Sequence, residues 1–260
     1  IVKHYSMNVG MLQLGDPADF CIVDDLINFK CQATYIDGQL VAENGQTKIA
    51  SVEETPINNF NCSPVAISQI EVEANFTTVK VIEVEDGQLI TTKGSADLTP
   101  VEGKLVSDAS QDVLKVVVVN RFFDAPPAVA FIRNFGLKQG ALASCVAHDS
   151  HNIIAVGVSD VDIVKAINLV IESKGGVSLA NGSEQKILPL PVAGIMTNKG
   201  GYETAEAYEK LDLRAKNLGV TLDAPYMTMS FCALLVIPEL KLSDKGLFDG
   251  NKFEFTSLEV

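Results

Sequence analysis

The seven residues Val113-Leu114-Lys115-Val116-Val117-Val118-Val119 constrain the fold more than any other stretch of this chain. β-Branched side chains fit a pleated backbone and crowd a helix. A strand with one face in water would alternate apolar and polar residues. This run barely does, so it reads as a strand covered on both faces. Such a strand needs a layer on each side of its sheet, and 260 residues supply the volume.

The neighbouring segments suit a layered sheet. Ala128 to Ile132 and Ile153 to Val158 are two further apolar strands. Ser159, followed three residues later by Asp162, has the capping-box spacing that opens a helix. Inside it Ile163, Ile167, Val170 and Ile171 share one face, and Gly175-Gly176 stops it. A hairpin then turns at Asn181-Gly182 and returns through Lys186 to Leu190. A second helix is expected from about Glu203 to Leu218, with Tyr208, Leu211, Ala215 and Leu218 inward and Gly219 at its end. Met227 to Val236 is apolar, and Met227 to Phe231 within it has the period of two of a half-buried strand. Strands mixed with a few helices, without regular βαβ alternation, give an α+β class.

The first 50 residues read as short strands joined by tight turns. Asp19 to Val23 follows the turn signal Gly15-Asp16-Pro17, and Asp37-Gly38 joins Ala33–Ile36 to Gln39–Ala42. Asp86-Gly87 joins Val79–Val84 to Gln88–Thr92 in the same way. The shared Asp-Gly follows from the positive φ angles of primed turns rather than from a repeat. Pro56 to Pro64 is a loop by composition. Ser95 to Ser110, with Pro100 and Gly103, is also loop-like and places a domain boundary nearby.

Charge and cysteine usage narrow the partners. A net charge of −13, with 20 Lys and Arg scattered along the chain, argues against nucleic acid. No run reaches the roughly 20 apolar residues of a membrane span, and Ile1 to Tyr5 carries no signal-peptide pattern. A soluble, cytoplasmic protein is expected. Five cysteines, widely spaced and without a C-x-x-C pair, form neither a disulfide framework nor a zinc knuckle.

Several motifs carry a family likeness. Gly15-Asp16-Pro17-Ala18-Asp19-Phe20, Asp24-Asp25 and Tyr35-Ile36-Asp37-Gly38 resemble the closing strands of an amidohydrolase-superfamily enzyme, a signal shared by dozens of hydrolases. Ser144 to Ile154, reading S-C-V-A-H-D-S-H-N-I-I, resembles a more specific segment of bacterial adenine deaminases. Leu188 to Met196 (L-P-L-P-V-A-G-I-M) and Pro238 to Gly246 (P-E-L-K-L-S-D-K-G) resemble two more, in the family's order. The resemblance implies three parts: closing strands of a small amidohydrolase-type β-sandwich domain over 1–55, a linking hairpin segment over 56–108, and an α+β layered adenine deaminase C-terminal domain over 109–260.

It also implies a reaction. The family hydrolyses adenine to hypoxanthine and ammonia with a metal-activated water, and a carboxylate moves protons to the leaving amine. The metals, manganese or iron in pairs, sit in an N-terminal barrel on His, Glu and Asp ligands. This chain has only His4, His148 and His151, and no His-x-His motif. The expectation is therefore a C-terminal portion lacking the metal-binding barrel, with no metal of its own and inactive alone. Adenine, the absent barrel and further copies of the chain are the expected partners. A structural or oligomerisation module and an independent purine-binding domain are the alternatives.

His148-Asp149-Ser150-His151-Asn152 is the densest polar cluster, set between apolar stretches. A loop at a pocket mouth could offer these groups to a purine and shield a reacting water. The same residues could instead satisfy loop and helix-end hydrogen bonds, or two imidazoles three residues apart could bind a metal. Ser150 lacks the G-x-S-x-G elbow of a hydrolase triad, and Cys145 reads as a buried thiol. Arg121, ending the most apolar strand, could hold an anion or make a plain salt bridge. Met229 and Phe231 could wall a flat base, although core packing explains them as well. Gly175-Gly176 and Gly200-Gly201 lack the spacing of phosphate loops.

Overall fold

In the computed structural model, which describes residues 1–52 and 55–260, tight turns set the layout of the first unit, Ile1–Glu54. A one-turn helix α1 (Val2–Tyr5) precedes four antiparallel strands, β1 (Phe20–Val23), β2 (Cys31–Ile36), β3 (Gln39–Glu43) and β4 (Gln46–Thr47), in sequence order. Asp37 (φ 49°) and Gly38 (φ 76°) are both left-handed, as the predicted primed turn requires. Asp19 ties the sheet to the preceding loop: its carboxylate accepts from the Asp37 and Gly10 N–H groups at 2.7 and 2.8 Å. Those two bonds hold its pKa below the ordinary aspartate value. Of the small sandwich expected here, this unit presents one sheet, and none of its described side chains is buried.

The second unit, Thr55–Val260, is built on a larger sheet. Its strands are β5 (Val72–Glu73), β6 (Thr78–Val84), β7 (Thr91–Asp97), β8 (Lys104–Leu105), β9 (Val113–Val119), β10 (Ala128–Arg133), β11 (Ala141–Ser144) and β12 (Ile153–Gly157). Helix α2 (Asp160–Glu172), β13 (Gly176–Asn181), β14 (Glu184–Pro189), α3 (Gly201–Asn217) and α4 (Pro225–Phe231) follow. The hairpin β15 (Leu240–Ser243) and β16 (Gly246–Asp249), with β17 (Glu254–Phe255), ends the chain. Eight strands form one sheet in the order β14-β13-β11-β12-β9-β10-β6-β7. Among the described residues only β6 and β10 pair in parallel. Residues 56–108, expected as a linking segment, thus give β6 and β7 to the sheet whose other strands follow residue 109. The return strand after Asp86-Gly87 runs on to Asp97, well past the expected Thr92.

The valine-rich strand β9 lies inside this sheet with every residue buried. Leu114, Val116 and Val118 meet one layer, made by α3, α4 and the β15–β16 hairpin. Val117 and Val119 meet the other, where α2 brings Ile163, Ala166, Ile167 and Val170. Lys115 interrupts the run on the α2 side. Its ammonium is 0% exposed, donates to the Ile70 carbonyl at 3.0 Å and pairs with Asp160 at 2.7 Å. A charge at this depth is tolerated because a counter-charge and a carbonyl meet it.

Helix α2 begins as its capping pattern dictates. Ser159 Oγ accepts from the Asp162 N–H at 3.2 Å and donates to the Asp162 carboxylate at 2.9 Å. It ends at Glu172, and the left-handed Lys174 (φ 52°) turns the chain into Gly175, where a Cβ would collide with Gly194 Cα and the Leu190 carbonyl. Helix α3 lies within two residues of its expected ends, with Leu211 and Ala215 buried.

One expectation is overturned. Met227 to Phe231 is not a strand: Pro225–Phe231 forms α4, with Pro225 in its first turn, and turns follow. Proline's fixed φ favours that position. Tyr226, Met229 and Ala233 enter the core at helical spacing, whereas Met227 is 50% exposed. The apparent period of two came from residues on opposite sides of a short helix. Among the described residues no helix is long and apolar enough to cross a membrane.

Candidate functional site

Strands β11 and β12 are antiparallel neighbours, and the segment Cys145–Asn152 joins them at one end of the sheet. Its ends are anchored in the core, where Cys145 and Ala147 are 0% exposed and Asn152 is 2% exposed. Asn152 Oδ1 accepts from the backbone N–H of Arg121 at 3.3 Å, tying the loop to the end of β9. The His151 N–H donates to the Ala147 carbonyl at 2.6 Å, closing a tight turn in which His151 takes φ 52°. Anchored ends and an apolar base push the middle of the loop outward. Asp149 and Ser150 are exposed, and both imidazoles are half-buried.

The two histidines converge, as the sequence cluster suggested. Their ring centroids are 5.6 Å apart, edge to face. The His148 ring stacks on Phe231 at 4.9 Å with 23° between planes, so α4 supplies a flat aromatic backing. Burial holds the His151 pKa below its ordinary value, reinforced by His148 and Arg121 and opposed by Asp149. His151 is therefore a neutral imidazole at pH 7, able to donate from one ring nitrogen and accept at the other.

Two clefts reach this loop through Val146 and through Asp149 and Ser150, while His148, His151 and Phe231 line neither. One, of about 570 Å³, lies against α3 and α4 and includes Ser144, Val146, Tyr208, Tyr226, Met227 and Ser230. The other, of about 450 Å³, is bordered by Asp149, Ser150, Lys245, Phe248, Phe253 and Phe255. Both fall in the size range of small-molecule sites. The tyrosines of the first cleft gave no signal in the sequence beyond Tyr208 on the inner face of a helix. Tyr226 lies one residue before the segment misread as a strand; its hydroxyl donates to the Ser178 carbonyl at 3.0 Å.

The other candidates separate. Phe231 belongs to the cluster through its stack on His148, but Met229 is fully buried in the core and reaches no cleft surface. Ser150 Oγ accepts from the Asn152 N–H at 3.4 Å and bonds neither histidine, so no triad forms. Cys145 Sγ donates to the Gly194 carbonyl at 2.6 Å, and burial pushes its thiol up to about 11. It is a structural thiol, not a nucleophile. Arg121 makes no salt bridge among the described residues. Its guanidinium donates from Nη1 to the Ala193 carbonyl at 2.7 Å and lies over the Phe122 and Phe60 rings at 4.7 and 5.6 Å. Among the described residues no group of three or more His, Cys, Asp and Glu side chains could hold a metal.

Comparison with known proteins places this geometry in a family. The profile described as "Adenine deaminase C-terminal domain" matches residues 88–254. A protein named "Adenine deaminase" from Methanosarcina acetivorans is 46% identical across 99% of this chain and 48% of its own length. Proteins of that name from Salinibacter ruber and Borreliella burgdorferi are 48% and 43% identical, each across 98% of this chain and 47% of its own. The chain therefore spans about half the length of these relatives.

Proposed function

The chain belongs to the adenine deaminase C-terminal domain family, and from that premise we propose that it works as the C-terminal half of an enzyme hydrolysing adenine to hypoxanthine and ammonia. Three relatives carrying that name, each about twice as long, support the assignment. The observation that carries the role of this half is the His148–Asn152 loop: two half-buried imidazoles, one stacked on an aromatic ring, in a segment whose neighbouring residues Val146, Asp149 and Ser150 line two clefts. In this reading the loop closes the substrate pocket. His148 and Phe231 face the flat purine, while Asp149, Ser150 and His151 hydrogen-bond its edge and exclude water from the reacting carbon.

The family resemblance implies paired manganese or iron ions. The described side chains of this chain do not fit such a centre, and no step of the reaction is derived through it. The reading assigns the metals to the other half of the enzyme. The open four-stranded sheet of residues 1–52, with Ile22 and Ile36 about half exposed, offers a surface for that half or for a second copy to cover. Five free cysteines suit a reducing compartment, so we place the enzyme in the cytoplasm.

The test is His151→Ala in the full polypeptide that carries this chain. Turnover of adenine should fall about tenfold, equivalent to one lost hydrogen bond of roughly 1.4 kcal/mol, with the far-ultraviolet spectrum unchanged. Unaltered kcat and KM in a folded variant would remove the loop from the pocket.

A further inference from the structure

Three buried side-chain atoms lack a hydrogen-bonding partner among the described residues: Asn58 Oδ1, Arg121 Nε and His151 Nδ1. They belong to one locality. The Arg121 guanidinium is near enough to His151 for its charge to depress the imidazole pKa, and the Arg121 backbone N–H donates to Asn152 Oδ1 beside it. A Cβ on Gly194 would overlap Arg121 Nη1 and stand 3.6 Å from Asn58 Oδ1, so only glycine lets the guanidinium lie there. The amide of Asn58 is fixed, because Nδ2 donates to the carbonyls of Lys174 and Pro191 at 2.6 and 3.0 Å.

The charge at this point is uncompensated. Arg121 is 5% exposed and forms no ion pair among the described residues. One carbonyl and two aromatic faces offset only part of the cost of burying a cation. A water molecule would satisfy Nε–H and leave the charge unanswered. A carboxylate answers both demands, and guanidinium groups recognise carboxylates by geometry as well as charge.

We propose that Arg121 and His151 form a binding site for one carboxylate, held by Arg121 Nε–H and His151 Nδ1–H, with Asn58 Oδ1 taking a donor carried by the ligand or its water. The site does not depend on the deaminase reading. The carboxylate comes either from an acidic side chain outside this chain or from a free small acid.

Histidine titration by NMR tests this directly, since the chain has only three histidines to assign. Formate is the probe. In the chain alone, formate should raise the His151 midpoint saturably, by about one pH unit, as a nearby negative charge does. Arg121→Gln should abolish that rise; if this variant fails to fold, the unaltered chain with and without formate still decides. A His151 midpoint already raised in the full polypeptide, and indifferent to formate, would identify a carboxylate of the protein itself as the occupant. A midpoint unmoved by formate in the chain and equally low in the full polypeptide would overturn the proposal.

Discussion

Lys115 places an unexposed ammonium in the middle of a valine-rich strand, balanced by Asp160 and one carbonyl. Removing Asp160 strands an ammonium that is 0% exposed, whereas replacing Lys115 with an apolar side chain of similar volume leaves only a carboxylate that is 19% exposed and sits at a helix N-terminus. Asp160→Ala should therefore lose about 3 kcal/mol in urea unfolding, while Lys115→Met should stay within roughly 1 kcal/mol of the parent. Equal losses in both would show that the pair stabilises by its presence. His151 gives a second prediction at this scale. Its folded pKa lies below 6.5, so acid protonates the unfolded chain first. Its contribution to stability is complete above that pH and is lost as the pH falls toward the folded pKa. The stability of the parent relative to His151→Gln should decline between pH 7 and pH 5; parallel curves would contradict the buried imidazole. The candidate cluster at 148–152 was legible as composition because five polar residues stood between apolar runs. Asn58 and Gly194 were not, since they join Arg121 only through contacts more than 60 residues apart in sequence.

Elements were legible where the signal was local. The Ser159–Asp162 cap, the apolar face of α2 and the Asp37-Gly38 turn all sit where residue chemistry placed them. Ser159→Ala removes a side-chain acceptor from the first turn and should cost about 1 kcal/mol, read from the shift in the urea midpoint. Helix α4 was misread because seven residues are too few for periodicity to separate a helix from a strand. Pro225 was the better signal, since it marks a first helical turn. The helical reading has a consequence: Met229 points into the core and Met227 does not. Met229→Ala should cost at least 2 kcal/mol, and Met227→Ala less than about 0.5 kcal/mol. Similar costs at both positions would return the segment to a strand.

For the whole molecule, the sequence showed that a layered sheet exists but not how its strands are ordered. Neighbours such as β9 and β12, or β6 and β10, pair across long connections that no local pattern encodes. The two units also differ in kind. The central strands β9 and β12 of the large sheet are buried on both faces, whereas residues 1–52 contain no buried side chain among those described. Hydrogen exchange should therefore be slowest in β9 and β12 and fast throughout β1 to β4 when the chain is studied alone. Protection of β1 to β4 equal to that of β9 would mean that the small sheet is already covered.

The central claim is a division of labour: this half shapes the pocket and the metal chemistry lies in the other half of the enzyme. Ammonia release from adenine by the purified 260-residue chain, supplied with manganese or ferrous iron, tests it most directly. The account predicts no release above the metal-only control. Metal-dependent turnover by the chain alone would contradict it, and would put a catalytic site among His148, Asp149 and His151.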